Sequence, residues 1–219
     1  MRKELYVFAL ISLQFVVSCS SDNNNNEIMD IQVTKPMTDI PDIMFERALI
    51  ELKLDDVEDG TVLTSAIENV KDLVIENKDI SSLTGIEDFT ALEGLWAKEN
   101  MLTNLNVSEN SNLKFVYAND NNLTRLNVSD LSNLEKINME NNGLTQLDIS
   151  GNTALQQLSL ANNSLQSIDI SNIPSLIQLN TFSIENNPLD CIKVNSTQIA
   201  DIPAQWTKDE TDVYALECN

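Results

Sequence analysis

Aliphatic residues recur with a fixed period through the middle of the chain. Residues 112–174 divide into three rows of 21, and leucine, isoleucine or valine occupies matching columns in each row. The most regular row carries Leu155, Leu158, Leu160, Asn163, Leu165, Ile168 and Ile170. The same columns extend outward over residues 70–195. A period of this length is typical of solenoids, and the pattern predicts about six stacked coils with a period of 21–22 residues.

The pattern LxxLxLxxNxL resembles the leucine-rich-repeat signature. The resemblance implies an α/β solenoid whose short strands form a parallel β-sheet along a concave face. The asparagine column is expected to be structural, because an amide can both donate to and accept from backbone groups where the chain turns. The members of this predicted asparagine ladder are Asn100, Asn121, Asn142, Asn163 and Asn187, with Lys78 in the same column of the first coil.

Segments on either side of the repeats are expected to cover the ends of the solenoid, as repeat proteins require. Residues 39–69 are predicted to form a helical N-terminal cap, since Phe45, Ala48, Leu49 and Leu52 have helical spacing. A second short helix is expected to begin at Thr64 or Ser65, with a capping box formed by residues 65–68. Residues 196–219 are predicted to form a nonrepetitive C-terminal cap, with residues 199, 202 and 206 packed on the last coil.

The last coil departs from the regular period. We take Leu176 and Leu179 as its leucine columns, which leaves three extra residues before Ile184. The sequence therefore predicts an insertion within residues 180–183, in or next to the strand.

The first residues have the composition of an export signal. Arg2 and Lys3 precede an apolar run that is too short to span a bilayer and fits a secretory signal peptide over residues 1–18. The ending Val-Val-Ser-Cys resembles a lipobox, which implies lipidation of Cys19; an ordinary cleaved signal with a chance cysteine is the alternative. Residues 19–38 are polar and are expected to form a flexible tether.

The three cysteines can be divided by role. If Cys19 carries the lipid, Cys191 and Cys218 remain as an even pair in an oxidising compartment. They flank the C-terminal cap, and we expect a disulfide that closes it. Two free buried thiols are the alternative.

Composition argues against catalysis and against several ligand classes. The chain has no histidine, 5 glycines and a formal charge of −21, and it has no phosphate-binding glycine motif. We therefore expect no enzyme activity, no cofactor and no nucleic-acid partner, since nucleic acids require basic patches. The acidic segment Asp55–Gly60 lacks two EF-hand ligands, because Val57 and Ala66 stand at the third and twelfth positions. An acidic turn is expected there rather than a calcium site.

Strand positions between the buried leucines are expected to face outward on the concave side. Three of the 11 aromatic residues fall on two adjacent strands there, with Trp96 beside Tyr117 at a strand spacing of about 4.8 Å. Aromatic residues are common at binding hot spots, although cross-strand packing on a solvated sheet would explain them equally. The predicted ligand-binding patch consists of Trp96, Lys98, Phe115, Tyr117, Asn119, Lys136 and Asn138.

Together, the lipobox-like Cys19, the Ile40-Pro41-Asp42 start of the cap, residues 82–86 (SLTGI) and the LTxLxVS coils resemble leucine-rich-repeat lipoproteins of Gram-negative bacteria with internalin-like solenoids. This resemblance implies a cell-envelope protein held at the membrane only by its lipid, in the outer membrane and either surface-exposed or periplasmic. The leading hypothesis is a monomeric, noncatalytic module that binds a protein or a glycan. A structural envelope lipoprotein without a specific ligand is the alternative.

Overall fold

The computed structural model describes residues 35–173 and 180–218 of the 219-residue chain. The predicted signal peptide, Cys19 and the tether up to residue 34 lie outside the described residues. Within the described ranges, no helix is long and apolar enough to cross a membrane.

Very short strands alternate with turns along the chain. The elements in chain order are β1 (Met37–Asp39), α1 (Ile43–Glu51), β2 (Thr61–Leu63), α2 (Thr64–Ile67), β3 (Asp72–Val74), a 3₁₀ turn (Ile86–Asp88), β4 (Gly94–Trp96), β5 (Asn104–Asn106), β6 (Phe115–Tyr117), β7 (Arg125–Asn127), β8 (Lys136–Asn138), β9 (Gln157–Ser159), β10 (Ser167–Asp169), β11 (Thr181–Ser183), β12 (Cys191–Lys193), α3 (Ser196–Ala200), β13 (Trp206–Thr207) and β14 (Tyr214–Ala215).

A seven-stranded parallel sheet runs along one side of the coils, in the order β13-β11-β9-β8-β6-β4-β3. The middle residues of its six three-residue strands pair one to one across the sheet, and Trp206 continues that line in β13. All of these side chains are buried: Leu73, Leu95, Val116, Ile137, Leu158, Phe182 and Trp206. Each coil thus covers the apolar face of the next, as stacking repeats require. The predicted parallel-strand solenoid of about six coils is confirmed.

The position of the extra residues in the last coil differs from the prediction. Phe182 pairs with Leu158, which lies 24 positions earlier, whereas Leu158 pairs with Ile137 at a separation of 21. The additional residues therefore precede β11, and residues 181–183 form a regular strand. The predicted insertion within residues 180–183 is wrong, because Phe182, and not Leu179, occupies the column of Leu158.

A second line of strands lies ten residues after the first in the coils of β4, β6, β9 and β11. It comprises the parallel pair β5-β7 and the three-stranded sheet β10-β12-β14. The middle residues of most of these strands are buried, with Leu105 and Ile168 both 3 % exposed. Most coils therefore contribute backbone pairing on two sides of one aliphatic core.

The N-terminal cap is mixed in structure rather than purely helical. β1 and β2 form an antiparallel pair, so ordered cap structure begins at Met37, before the expected boundary at residue 39. Helix α1 follows Asp42, whose Oδ1 accepts hydrogen bonds from the backbone N–H groups of Met44 (2.9 Å) and Phe45 (3.0 Å). The ring of Phe45 stacks on Phe89 at 6.3 Å and joins the cap to the first coils.

One detail of the cap differs from the sequence expectation. Helix α2 begins at Thr64 and follows Leu63, which makes no side-chain capping hydrogen bond, so the predicted capping box at residues 65–68 is wrong. In the acidic turn, Glu46 is 2 % exposed and its Oε1 accepts hydrogen bonds from the N–H groups of Asp59 (2.8 Å) and Gly60 (2.5 Å). This carboxylate holds the turn against α1.

The C-terminal cap extends the solenoid. Cys191 and Cys218 form a disulfide with a Cα–Cα distance of 5.8 Å, which confirms the predicted pairing. Helix α3 is capped by Asn195, whose side chain and that of Gln198 form a reciprocal capping box. Trp206 then enters β13 and is buried, whereas Ile199, expected to pack on the last coil, is 40 % exposed.

Candidate functional site

The predicted asparagine ladder makes the same hydrogen bonds in each coil. The Asn121 amide donates from Nδ2 to the carbonyl oxygen of Ala118 (3.1 Å) in its own coil and to that of Ala97 (3.0 Å) in the preceding coil. Its Oδ1 accepts a hydrogen bond from the N–H of Leu102 at 3.0 Å. Equivalent bonds recur at Asn100, Asn142, Asn163 and Asn187. The amides join successive coils, and the N–H groups of each are engaged with backbone carbonyl oxygens.

A second ladder lies on the outside of the same turns. The residue before each inner asparagine has a positive φ, between 56° and 58°, which asparagine and aspartate tolerate better than most residues. Side chains of this outer column bond in series, with Asn162 Nδ2 donating to Asn141 Oδ1 (2.8 Å) and Asn141 Nδ2 donating to Asp120 Oδ1 (2.6 Å). The repeated Asn-Asn pairs are the sequence signal for this ladder, which the sequence analysis missed.

Aromatic side chains meet on the exposed side of the seven-stranded sheet. Trp96 and Tyr117 occupy paired positions on β4 and β6, and their rings stack with centroids 6.1 Å apart and an interplanar angle of 10°. Phe115 lies two residues before Tyr117, and the Nζ of Lys136 on β8 sits 5.7 Å from its ring centroid. All four side chains are partly exposed. The structure therefore brings the predicted aromatic residues together on two adjacent strands.

Gly94 determines where the indole of Trp96 lies. A Cβ at position 94 would fall 2.3 Å from both Cη2 and Cζ3 of the Trp96 ring. The indole therefore reaches back over the glycine on its own strand, into space that any side chain would fill. This contact orients the aromatic stack and was not anticipated from the sequence.

The row of side chains that contains the stack changes character along the sheet. From the first coil to the last strand it reads Val74, Trp96, Tyr117, Asn138, Ser159, Ser183 and Thr207. The first three are apolar or aromatic, and Val74 is 51 % exposed. The last four present hydroxyl or amide groups, so the apolar contact surface is confined to the first half of the row.

Ion pairs lie at the start of the strands that carry the aromatic residues, because Lys71, Glu93 and Lys114 directly precede β3, β4 and β6. Lys114 and Lys71 both contact the carboxylate of Glu93, at 2.7 Å and 2.8 Å. The hydrogen bond from Lys114, supported by that from Lys71, lowers the pKa of Glu93 to about 2. This carboxylate consequently stays ionised across the physiological range and neutralises one of the two lysines.

The other polar residues of the predicted patch are already engaged in part. Lys98 lies 3.7 Å from carboxylate oxygens of both Glu76 and Glu99. Asn119 Nδ2 donates to the neighbouring Asp120 at 2.6 Å, and Asn138 Oδ1 accepts the N–H of Glu140 at 3.0 Å. All seven predicted residues lie on, or two residues after, β4, β6 and β8. Their chemistry suits apolar stacking and hydrogen bonding.

Metal chemistry finds no support in the part of the chain that the structure describes. There, no group of three or more His, Cys, Asp or Glu side chains is arranged to hold a metal ion. The acidic turn at residues 55–60 falls within this range and is organised by the buried Glu46 carboxylate instead.

Comparison with solved structures relates the fold to internalin-type leucine-rich-repeat proteins. The functional domain of InlJ from Listeria monocytogenes, described as including a cysteine ladder, is 27% identical with a TM-score of 0.63, over 74% of this chain and 38% of that chain. The LRIM1/APL1C complex is 21% identical with a TM-score of 0.52, over 61% of this chain and 26% of that chain. An internalin C2 from Listeria monocytogenes is 19% identical with a TM-score of 0.43, over 80% of this chain and 94% of that chain.

The likenesses to InlJ and to the LRIM1/APL1C complex confirm the leucine-rich-repeat solenoid at the level of fold. The chain spans well under two thirds of the InlJ domain and of the LRIM1/APL1C chain that it matches. No protein-family model and no curated protein sequence matches it. Its cysteines at 19, 191 and 218 leave none between residues 20 and 190 to form a ladder within the repeats.

Proposed function

We propose that the chain is a noncatalytic recognition module that binds a protein or a glycan through the exposed side of the seven-stranded sheet. The observation that carries this proposal is the stack of Trp96 on Tyr117 beside Phe115. Tryptophan and tyrosine are over-represented among residues that dominate binding energy, because they bury large area and lose little rotamer entropy.

The setting of the stack supports a preformed site. The strands under it pair on both sides, and their inward residues Leu95 and Val116 are fully buried. Gly94 leaves room for the indole in this position. A rigid platform lowers the entropy cost of binding, since fewer side chains must be ordered when the ligand arrives. Hydroxyl and amide groups farther along the row supply hydrogen bonds beside the apolar contact.

The proposal includes export and lipidation at Cys19. Its support is the signal-like composition of residues 1–18 and the lipobox-like ending before that cysteine. Metabolic labelling with radioactive palmitate is expected to mark the wild-type chain and not Cys19→Ser. Protease treatment of intact cells then distinguishes a surface-exposed protein from a periplasmic one, because only the former is cleaved without permeabilisation.

Affinity capture from cell-envelope and surface-polymer extracts tests the binding surface. The double variant Trp96→Ala/Tyr117→Ala is expected to lose the captured ligand, while Val213→Ala/Leu216→Ala keeps it. The control residues are 55 % and 50 % exposed and lie in the C-terminal cap, away from β4 and β6. If the aromatic variant retains every ligand as well as wild type does, the aromatic stack is sheet packing, and a structural envelope role replaces recognition.

A further inference from the structure

The chain contains one Asn-Gly dipeptide, Asn142-Gly143, and it falls in the inner asparagine ladder. The other inner asparagines are followed by methionine, asparagine, serine or proline, at residues 101, 122, 164 and 188. An asparagine side chain reacts most readily with its own backbone when glycine follows it, because glycine has no Cβ to obstruct the approach and is conformationally free. The ladder therefore contains one position that is chemically more reactive than its equivalents.

The fold does not require a glycine after Asn142. Gly143 is not among the described glycines with a positive φ, which are Gly60 and Gly85. A Cβ at position 143 would lie 3.5 Å from the carbonyl oxygen of Leu123, which is an ordinary van der Waals contact. Residues with side chains fill this position in the other coils of the ladder. A serine or alanine at position 143 should therefore be accepted without a change of fold.

Hydrogen bonds hold the reactive groups in place in the folded chain. Asn142 Nδ2 donates to the carbonyl oxygens of Ala118 (3.0 Å) and Met139 (3.1 Å), and its Oδ1 accepts the N–H of Leu123 at 2.9 Å. The N–H of Gly143 donates to the carbonyl oxygen of Leu123 at 2.8 Å. The side-chain amide and the Gly143 nitrogen are thus both tied to the preceding coil. A reaction between them requires these bonds to open.

Two observations indicate that this coil opens more readily than its two neighbours. Asn142 is partly exposed, whereas the other four inner asparagines are only 7 % or 8 % exposed. The coil also lacks its second strand: within the described residues, β5 pairs with β7 and β10 pairs with β12, but residues 146–148 form a strand pair with neither neighbour. Local opening is favoured where burial and backbone pairing are reduced. The reactive dipeptide therefore lies in a coil that is held less firmly than those beside it.

We propose that Asn142 is a site of spontaneous deamidation, which proceeds through local opening of its coil. Once both groups are free, the deprotonated backbone nitrogen of Gly143 attacks Cγ of Asn142 and closes a succinimide ring. The bond between Cγ and Nδ2 breaks, and the nitrogen leaves as ammonia, which takes up the proton. Water then opens the ring at either carbonyl group and gives aspartate or isoaspartate. One water is consumed and one ammonia is released, with no oxidation or reduction.

Either product removes the donor that Asn142 supplies to Ala118 and Met139. A carboxylate oxygen takes the place of Nδ2 and faces the two carbonyl oxygens without a hydrogen to share. Isoaspartate also adds a methylene group to the main chain. An opening that is reversible in the fresh protein therefore becomes permanent. The modification weakens the stacking of the central coil on the coil before it.

Peptide mapping by mass spectrometry, after incubation of the folded protein at mildly alkaline pH, tests this assignment. We expect aspartate and isoaspartate to accumulate at Asn142 and not at Asn121 or Asn163. Opening must break at least two hydrogen bonds, so the rate in the folded protein should be about 10–100-fold below that of the urea-unfolded chain. Urea below the unfolding transition should leave the folded rate nearly unchanged, because local opening exposes little surface.

Gly143→Ser is the matched control, since serine already follows Asn163 in the next coil. When fresh, this variant should have the circular dichroism spectrum and urea midpoint of wild type, and its conversion at Asn142 should fall to the level of Asn163. Gly143→Ala serves as a second control with the same expectation. After incubation, wild type should unfold at a lower urea concentration than fresh protein, whereas the two variants should not.

Four results would overturn the proposal. They are conversion at Asn142 no faster than at Asn163, equal conversion in wild type and Gly143→Ser, incubated wild type as stable as fresh protein, and a folded rate that rises with urea as steeply as global unfolding. The last result would place the reaction in the fully unfolded chain and not in one opened coil. No ligand takes part in these measurements, so their outcome is independent of the proposed recognition function.

Discussion

Replacing an inner-ladder asparagine by aspartate tests whether the ladder stabilises the solenoid by donating hydrogen bonds. In Asn121→Asp, an oxygen replaces Nδ2, which lies 3.0 Å from the carbonyl oxygen of Ala97 and 3.1 Å from that of Ala118. Two bonds worth about 1 kcal/mol each are lost. The two carbonyl oxygens still accept from Asn100 and Asn142, but the new carboxylate oxygen is buried against them without a donor, which costs about 1–3 kcal/mol more. We expect a destabilisation of about 3–5 kcal/mol at neutral pH.

The loss should depend on pH in a definite direction. Asn121 is 8 % exposed, and burial beside two carbonyl oxygens favours the neutral form of an acid placed there. The pKa of the introduced carboxyl group should therefore lie, in the folded variant, above its unfolded value of about 3.9. A raised folded pKa contributes stability that is present below the unfolded pKa and lost as pH rises through the folded pKa. The variant should be less damaged at pH 5 than at pH 8.

Urea denaturation at pH 5 and pH 8, followed by circular dichroism, measures this difference against wild type. The matched control is Asn122→Asp, the same change at an exposed side chain that makes no hydrogen bond to a described residue. Asn121→Asp should lose at least about 1.4 kcal/mol more at pH 8 than at pH 5, which corresponds to a folded pKa of about 6 for the introduced carboxyl group. Equal losses at both pH values, or an equally damaged control, would refute the reasoning.

Three further outcomes follow from the structure. Replacing Cys191 and Cys218 by serine should cost about 3–4 kcal/mol in the chain-entropy model for a loop of this length, measured by urea denaturation with and without reductant. Asp42→Ala should destabilise the protein by about 1 kcal/mol or more through the lost helix cap. Burial raises the pKa of Asp42, but the hydrogen bonds to its carboxylate outweigh this effect and lower the pKa. Wild type should therefore lose this stability as pH falls below about 4, whereas Asp42→Asn should not. Gly94→Ala should displace the indole of Trp96, seen as a changed near-ultraviolet dichroism spectrum with unchanged far-ultraviolet signal.

The repeat made most of the fold predictable from the sequence. Buried positions recur with one period, so a wrongly assigned buried position in one coil can be recognised by comparison with the others. Leu95, Ile137 and Leu158, which occupy one such column, all lie on the paired strands. The disulfide followed from counting cysteines. Within the patch, the side-by-side placement of Trp96 and Tyr117 follows directly from the register of the repeat.

Features outside the repeat were harder to predict for a physical reason. Strands of three residues, such as β1 and β2, are too short to show an alternating pattern, and their pairing depends on tertiary contacts. Trp206 joins the sheet 24 positions after Phe182, but it interrupts the aliphatic pattern that marks the other strands. The extra residues of the last coil were misplaced because Leu179 was assigned to the column of Leu158, which Phe182 occupies.

Position in the coil, more than residue type, decides what a side chain can do in this solenoid. The inner asparagines direct their N–H donors to backbone carbonyl oxygens, whereas Asn106 and Asn127 accept from a turn with Oδ1 and donate to no described residue. Trp96 and Arg125 lie at exposed strand positions whose residue type differs from one coil to the next. Substitution at such exposed positions usually changes stability by less than about 0.5 kcal/mol. The columns that maintain the fold therefore leave these positions free to determine what is bound.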